Sequence, residues 1–297
     1  VRTELLEPGD ARYYVDGDHF GTDYDHPERE KGGEPRRLTS CICREEQLDS
    51  PAFRYWLGRL GEQPRPHRKQ WEFAYVIQTL YEHGKLREGS RGLAFAVGSE
   101  PLPALFASMG CHIVATDLDV QDRRSTDWAK IGQHAASTER LRRDELCDPE
   151  QFDKCVSYRP VDMNAIPDDL TGFDFTWSTC SFEHCGSIAL GQQFIWRQMD
   201  CLKPGGVAVH TTEFNLTSNT RTRANGNTVL FRRRDIEQIV QRLVDDGHDV
   251  APLDLELGSH PNALDYDRLP YSYNRHLKLE WRSYVATSIG LIIRKAS

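Results

Sequence analysis

The residues best suited to chemistry fall in three short stretches. Gly98-Ser-Glu100 follows the apolar run 92–97 and precedes Pro101-Leu-Pro-Ala-Leu-Phe-Ala-Ser108, so a tight turn joins a strand to a helix. About 20 residues later, Cys111-His-Ile-Val-Ala-Thr-Asp117 reads as a second apolar strand with a carboxylate at its tip and Leu118 beyond it. A glycine turn paired with a distant acid holds a nucleoside, because the turn offers backbone N–H groups and the acid accepts from ribose hydroxyls. The third stretch, Trp177-Ser-Thr-Cys-Ser-Phe-Glu-His184, ends another apolar run in a carboxylate and an imidazole, and His210 closes a further one. Glu183, His184 and His210 are the candidate general bases, since an imidazole of pKa ~6.5 accepts a proton at neutral pH. Helix-start and structural hydrogen-bonding roles compete for the same three residues.

The turn discriminates between nucleoside ligands. A dinucleotide rests its pyrophosphate on N–H groups at a helix N-terminus, where an anionic side chain repels it. Glu100 stands in that turn and Ala96 fills a position where glycine is expected, so the G-x-G-x-x-G fingerprint is absent. A ligand carrying an ammonium and a sulfonium but no phosphate tolerates this carboxylate, which favours S-adenosylmethionine.

These residues need a scaffold that aligns strand ends. Residues 1–50 are polar and rich in Gly, Asp, Arg and Pro, and read as an N-terminal arm. A helical cap is expected over 51–88, from a helix begun by Ser50-Pro51 and a second carrying Trp71, Ala74, Tyr75, Ile77 and Leu80 up to Gly84. From residue 89 to 297, strands and helices alternate as in a parallel α/β sheet, with late strands at 248–255 and 284–294. The stretch 256–282 is irregular and aromatic, a lid-like insertion in which Asp265, Tyr266, Asp267, Tyr271, Tyr273, Asn274 and His276 suit a sugar acceptor or the interface of a homo-oligomer.

Four motifs in this order resemble the class I S-adenosylmethionine-dependent methyltransferases. The loop Ala94-Phe-Ala-Val-Gly98-Ser-Glu100 stands at the family's D/E-x-G-x-G turn, where only Gly98 keeps its glycine. Asp117 matches the acid that accepts both ribose hydroxyls, and Asp162-Met163 the pair that meets adenine. Leu202-Lys-Pro-Gly-Gly206 matches a turn ahead of the fifth strand. The resemblance implies a Rossmann-like, doubly wound sheet of seven strands in the order 3-2-1-4-5-7-6, the last one antiparallel. It also implies a cofactor site of Ala96, Gly98, Glu100, Asp117, Leu118, Asp162, Met163 and Ser178. Among such enzymes the closest likeness is to bacterial ones whose pre-sheet helix begins H-R-K-x-W-E, here His67-Arg-Lys-Gln-Trp-Glu72, and His67, Arg68 and Trp71 are candidates to reach the ligands.

Composition narrows the partners. Of 297 residues, 37 are Lys or Arg and 45 Asp or Glu, a formal charge of −8 that argues against nucleic acid as the main partner despite the Arg221–Arg234 and Arg140–Arg143 clusters. No apolar run reaches the ~18 residues of a membrane span. The eight cysteines form no C-x-x-C pair and read as reduced thiols, and the opening residues show no secretory leader, so a cytoplasmic location is expected. Asp254, Glu256, Asp265 and Asp267 are weighed as metal ligands, but an acidic loop is ordinarily solvated, and no metal is expected. The expectation is a methyltransferase acting on a small-molecule or saccharide acceptor at oxygen. An RNA or protein methyltransferase and a catalytically idle cofactor-binding module are the alternatives.

Overall fold

The computed structural model describes residues 37–126, 130 and 132–297, so most of the expected arm lies outside the described residues. Its described end is built into the core. Strand β1 (Ser40–Cys41) and helix α1 (Glu45–Leu48) bury Cys41, Ile42, Cys43 and Leu48. Helices α2 (Pro51–Arg59) and α3 (Arg68–Glu82) follow, each begun by a side-chain cap. Ser50 Oγ accepts from Phe53 N at 3.3 Å, and His67 Nδ1 accepts from Lys69 N at 3.1 Å.

The remaining elements alternate as the sequence pattern requires: β2 (Arg91–Ala94), α4 (Leu102–Ser108), β3 (His112–Asp117), α5 (Pro149–Cys155), β4 (Val156–Pro160), β5 (Phe173–Thr179), α6 (Ile188–Arg197), β6 (Leu202–Asn215), α7 (Arg233–Asp245), β7 (Asp249–Val250), β8 (Leu253–Asp254), β9 (Lys278–Trp281) and β10 (Tyr284–Arg294). The main sheet runs β4-β3-β2-β5-β6-β10-β7, and β10 is antiparallel to both neighbours. Counted from β2 and leaving out β8 and β9, this is the expected order 3-2-1-4-5-7-6. Strand β9 adds an eighth member by pairing with residues 284–287 of β10. One face packs Trp71, Phe106, Phe175 and Trp177 under α3 and α4, and the other packs Phe194, Ile195, Ile236 and Ile239 under α6 and α7.

Two local expectations are corrected. Leu202-Lys-Pro-Gly-Gly206 is not a turn ahead of the strand but a bulge inside β6: Leu202 pairs with Phe173 and Val207 with Phe175, and the residues between loop out at Gly205, φ +70°. The single strand expected at 248–255 breaks at Pro252, which has no N–H to give the ladder. Val250 stays paired with β10, while β8 leaves to lie parallel to β1.

Candidate active site

The parallel strands deliver their C-terminal ends to one edge of the sheet, where a doubly wound fold binds its ligands. After β2 the backbone enters the left-handed region at Ala96 (φ +49°) and again at Gly98 (φ +55°). Ala96 thus adopts a conformation that glycine takes without strain, the physical reason a glycine is expected there. The turn places Gly98 N against Asp117 Oδ2 at 3.1 Å. Ala135 N donates to the same oxygen at 3.1 Å, and Leu118 N to Oδ1 at 2.9 Å. Burial raises the Asp117 carboxyl above its ordinary value, and these N–H groups pull the other way.

Residues 132–135 lie directly over this turn. A Cβ on Gly98 would sit 2.9 Å from Gln133 O. His134 Nε2 donates to Leu118 O at 2.8 Å, and Tyr158 Oη donates to Ala135 O at 2.9 Å. Asp162 accepts from Asn164 N at 2.9 Å and pairs with Arg124 at 2.7 Å, while Met163 lines a cavity of about 210 Å³ with Asn164, Leu190, Phe194 and Arg197.

Glu100 does not present its carboxylate at the turn surface. It is buried, with Oε1 accepting from Trp177 Nε1 and Oε2 from Thr179 Oγ1, both at 2.6 Å. Burial pushes its carboxyl up to about 7. Ser178 and His210 are likewise internal: Ser178 Oγ lies 2.8 Å from His210 Nδ1, and the His210 ring packs edge-on against Phe194. Burial alone lowers His210 to about 3, so this ring stays neutral inside the α6 layer. Trp71 is also core, stacked on Tyr75 with its indole N–H donated to Gln47.

The other half of the site gathers around the ends of β5 and β6. Cys180 turns the chain with φ +49°, its N held by Thr211 O at 3.1 Å. A short 3₁₀ turn, Phe182–His184, then carries Glu183 and His184. Thr212 Oγ1 donates to Glu183 Oε2 at 2.9 Å, and His184 Nε2 lies 3.8 Å from Glu183 Oε1. Burial, and secondly the nearby Glu213 charge, lift the Glu183 carboxyl to about 8. The carbonyl of Asn227 accepts from His184 Nδ1 at 2.7 Å, which fixes the tautomer, and burial holds this ring down at about 4.

The first turn of α3 supplies the opposing charges. Arg68 pairs with Glu213, and Lys69 Nζ contacts Glu72 Oε2 at 2.7 Å and Thr179 O at 3.2 Å. Ser288 Oγ and Cys180 Sγ donate to Glu72 Oε1 at 2.6 and 3.1 Å. Burial alone would raise the Glu72 carboxyl, yet Lys69 and Arg68 outweigh it and hold it below its ordinary value.

The aromatic insertion closes on this corner. Arg68 N donates to His276 O at 3.0 Å, the His67 and His276 rings stack at 5.1 Å, and Asp267 Oδ2 lies 2.8 Å from His276 Nδ1. Tyr271 and Tyr273 pack against the same imidazole.

The fold brings Glu183, His184 and Arg68 together at this corner, along with Lys69, Glu72, Cys180 and Glu213, which sequence reading passed over. One signal for Glu72 was available, a charge amid the apolar run of α3. The weighed set Asp254, Glu256, Asp265 and Asp267 does not form a metal-ligating group among the described residues; Asp254 pairs with Arg44 and Asp267 with His276. No described helix is long and apolar enough to cross a membrane.

No family model and no curated protein matches this sequence. Among solved structures the chain is similar to the methyltransferase domain of bacterial CtHen1, at 12% identity and TM-score 0.48 over 77% of this chain and 100% of that one. It is also similar to the magnesium protoporphyrin IX methyltransferase of Synechocystis, at 13% identity and TM-score 0.45 over 84% and 97% of the two chains. The glycopeptide N-methyltransferase MtfA gives 13% identity and TM-score 0.44 over 74% and 94%. These are likenesses of fold.

Proposed function

We propose that this chain is a class I S-adenosylmethionine-dependent methyltransferase that acts on a small-molecule or saccharide acceptor at oxygen. The observation that carries the reading is the antiparallel β10 seated between β6 and β7, in a sheet whose first crossover sets the Gly98 turn against Asp117. The residues fit the cofactor on one condition. A carboxylate offers about four acceptor positions, and Asp117 spends three on backbone N–H groups. One of these comes from Ala135, so residues 132–135 must lift for both ribose hydroxyls to be accepted. Asp162 and Met163 would then meet the adenine, and Gly98 the amino-acid end. When bound, the cofactor supplies an electrophilic methyl group.

The chain's own residues orient the acceptor and take its proton. His184 Nε2 is the proton acceptor, with Asn227 fixing the ring. Arg68 and the Tyr271, Tyr273 and His276 wall orient a polyol acceptor. Three arginines of the basic clusters pair with the protein's own acids, Arg232 with Asp235, Arg233 with Glu237 and Arg142 with Asp153, which speaks against an RNA-binding cleft. A second reading, an idle cofactor-binding module, is favoured by one observation, the cover over Asp117. Incubation with methyl-labelled cofactor and pools of saccharides, small polyols, RNA and protein tests the choice. Label in the small-molecule pools supports the proposal, label in RNA or protein overturns the acceptor class, and cofactor binding without label in any pool favours the idle module.

A further inference from the structure

The corner that holds His184 also gathers three metal-ligating side chains from three elements. A ligand atom from each of Cys180, Glu183 and Glu213 lies within 4.8 Å of the other two, the one such group among the described residues. Cys180 follows β5, Glu183 sits on the 3₁₀ turn, and Glu213 lies in β6. Independently of that grouping, Glu213 Oε2 is buried and has no hydrogen-bond partner, in a residue only 9% exposed. A buried carboxylate oxygen left in this state is costly unless a cation or proton meets it.

We propose that Cys180, Glu183 and Glu213 form a binding site for a zinc-class divalent transition metal. One sulfur and two carboxylate oxygens suit zinc better than magnesium or calcium, which take oxygen alone, and they leave a fourth position open. Donors around tetrahedral zinc stand about 3.5 Å apart, so the side chains need a modest inward rotation. The supporting contacts exist: Thr212 orients Glu183, and Arg68 orients Glu213. Binding is a balanced exchange in which the Cys180 thiol, its hydrogen now directed at Glu72, and the Glu183 carboxyl each release a proton to solvent as sulfur and oxygen bond to the metal. The site itself does not depend on the methyltransferase reading. Its use does, for under that reading the metal would lower the pKa of an acceptor hydroxyl at the place where the proton must leave.

The test uses the full chain freed of metal by a chelator and titrated with zinc alone, then with cobalt alone. We expect one equivalent of zinc with micromolar or tighter affinity, and a cobalt form with thiolate-to-metal absorption in the near ultraviolet. That absorption should vanish in Cys180→Ser, and zinc affinity should fall at least tenfold in Glu213→Gln, a near-isosteric change whose folding circular dichroism verifies. Absence of stoichiometric zinc binding by the native chain overturns the site, as does a thiolate–cobalt band that survives Cys180→Ser. Cofactor affinity measured on the metal-free protein separates failure of this site from failure of the methyltransferase reading.

Discussion

Replacing Glu100 by glutamine should flatten part of the pH dependence of stability. The wild-type carboxyl is 6% exposed and titrates at about 7 in the fold, against an ordinary 4.5. Its folded pKa is raised, so its contribution is complete below pH 4.5 and is lost as pH climbs to about 7, because the unfolded chain ionises first. The span from 4.5 to about 7, at roughly 1.4 kcal/mol per tenfold, caps the loss near about 3 kcal/mol, of which about 2.5 falls between about pH 5 and about pH 8. Glutamine escapes this loss and keeps the geometry, since its oxygen can accept from Trp177 and its amide can donate to Thr179. Urea unfolding of both proteins at the two pH values isolates the effect, as every other group cancels in the difference. The variant should gain about 2.5 kcal/mol on the wild type between pH 5 and pH 8. Parallel pH curves, or a variant that loses ground at the higher pH, would refute the buried neutral carboxyl.

Other outcomes follow from the same geometry. Gly98→Ala should cost about 1 to 2 kcal/mol through its positive φ, and it should speed hydrogen exchange at the Ala135 amide, because the new Cβ meets Gln133 O; unchanged Ala135 protection would mean that residues 132–135 do not rest on the turn. Lys69→Met leaves Glu72, whose side chain is fully buried, without its cation, and should cost about 3 kcal/mol in denaturant unfolding; a loss under about 1 kcal/mol would show that Ser288 and Cys180 suffice. His184→Ala should lower methyl transfer by a factor on the order of 10² or more with cofactor affinity retained, and full turnover would remove it as the proton acceptor.

The scaffold was readable because its signals are local and repeated. Short apolar runs, helix caps at Ser50 and a stop at Gly84 fixed the alternation, and Asp117 and His184 were visible because they end such runs. Less legible were features set by partners far along the chain. The early Ser40–Cys41 strand has no periodicity, and it exists because Pro252 sends β8 out of the main sheet to meet it. Glu100 was read from position as a carboxylate meeting the cofactor in the turn, yet its direction is decided by Trp177 and Thr179, nearly 80 residues away. His210 alternates to the α6 face of β6, where Ser178 and Phe194 receive it. Lys69, Glu72, Cys180 and Glu213 gain meaning only when α3 crosses the ends of β5 and β6 and their opposite charges meet out of water.

The central claim is that the Gly98 turn and Asp117 hold a sulfonium nucleoside, and calorimetric titration tests it most directly. S-adenosylmethionine, S-adenosylhomocysteine and NAD are titrated in parallel into the wild type and into Asp117→Ala. Micromolar binding of the two sulfur ligands, none of NAD, and a loss of well over tenfold in the variant are expected, since two charge-assisted hydrogen bonds of ~1.5 to 3 kcal/mol each are removed. Silence from both sulfur ligands, binding of NAD in their place, or full affinity in a folded Asp117→Ala variant would contradict the account.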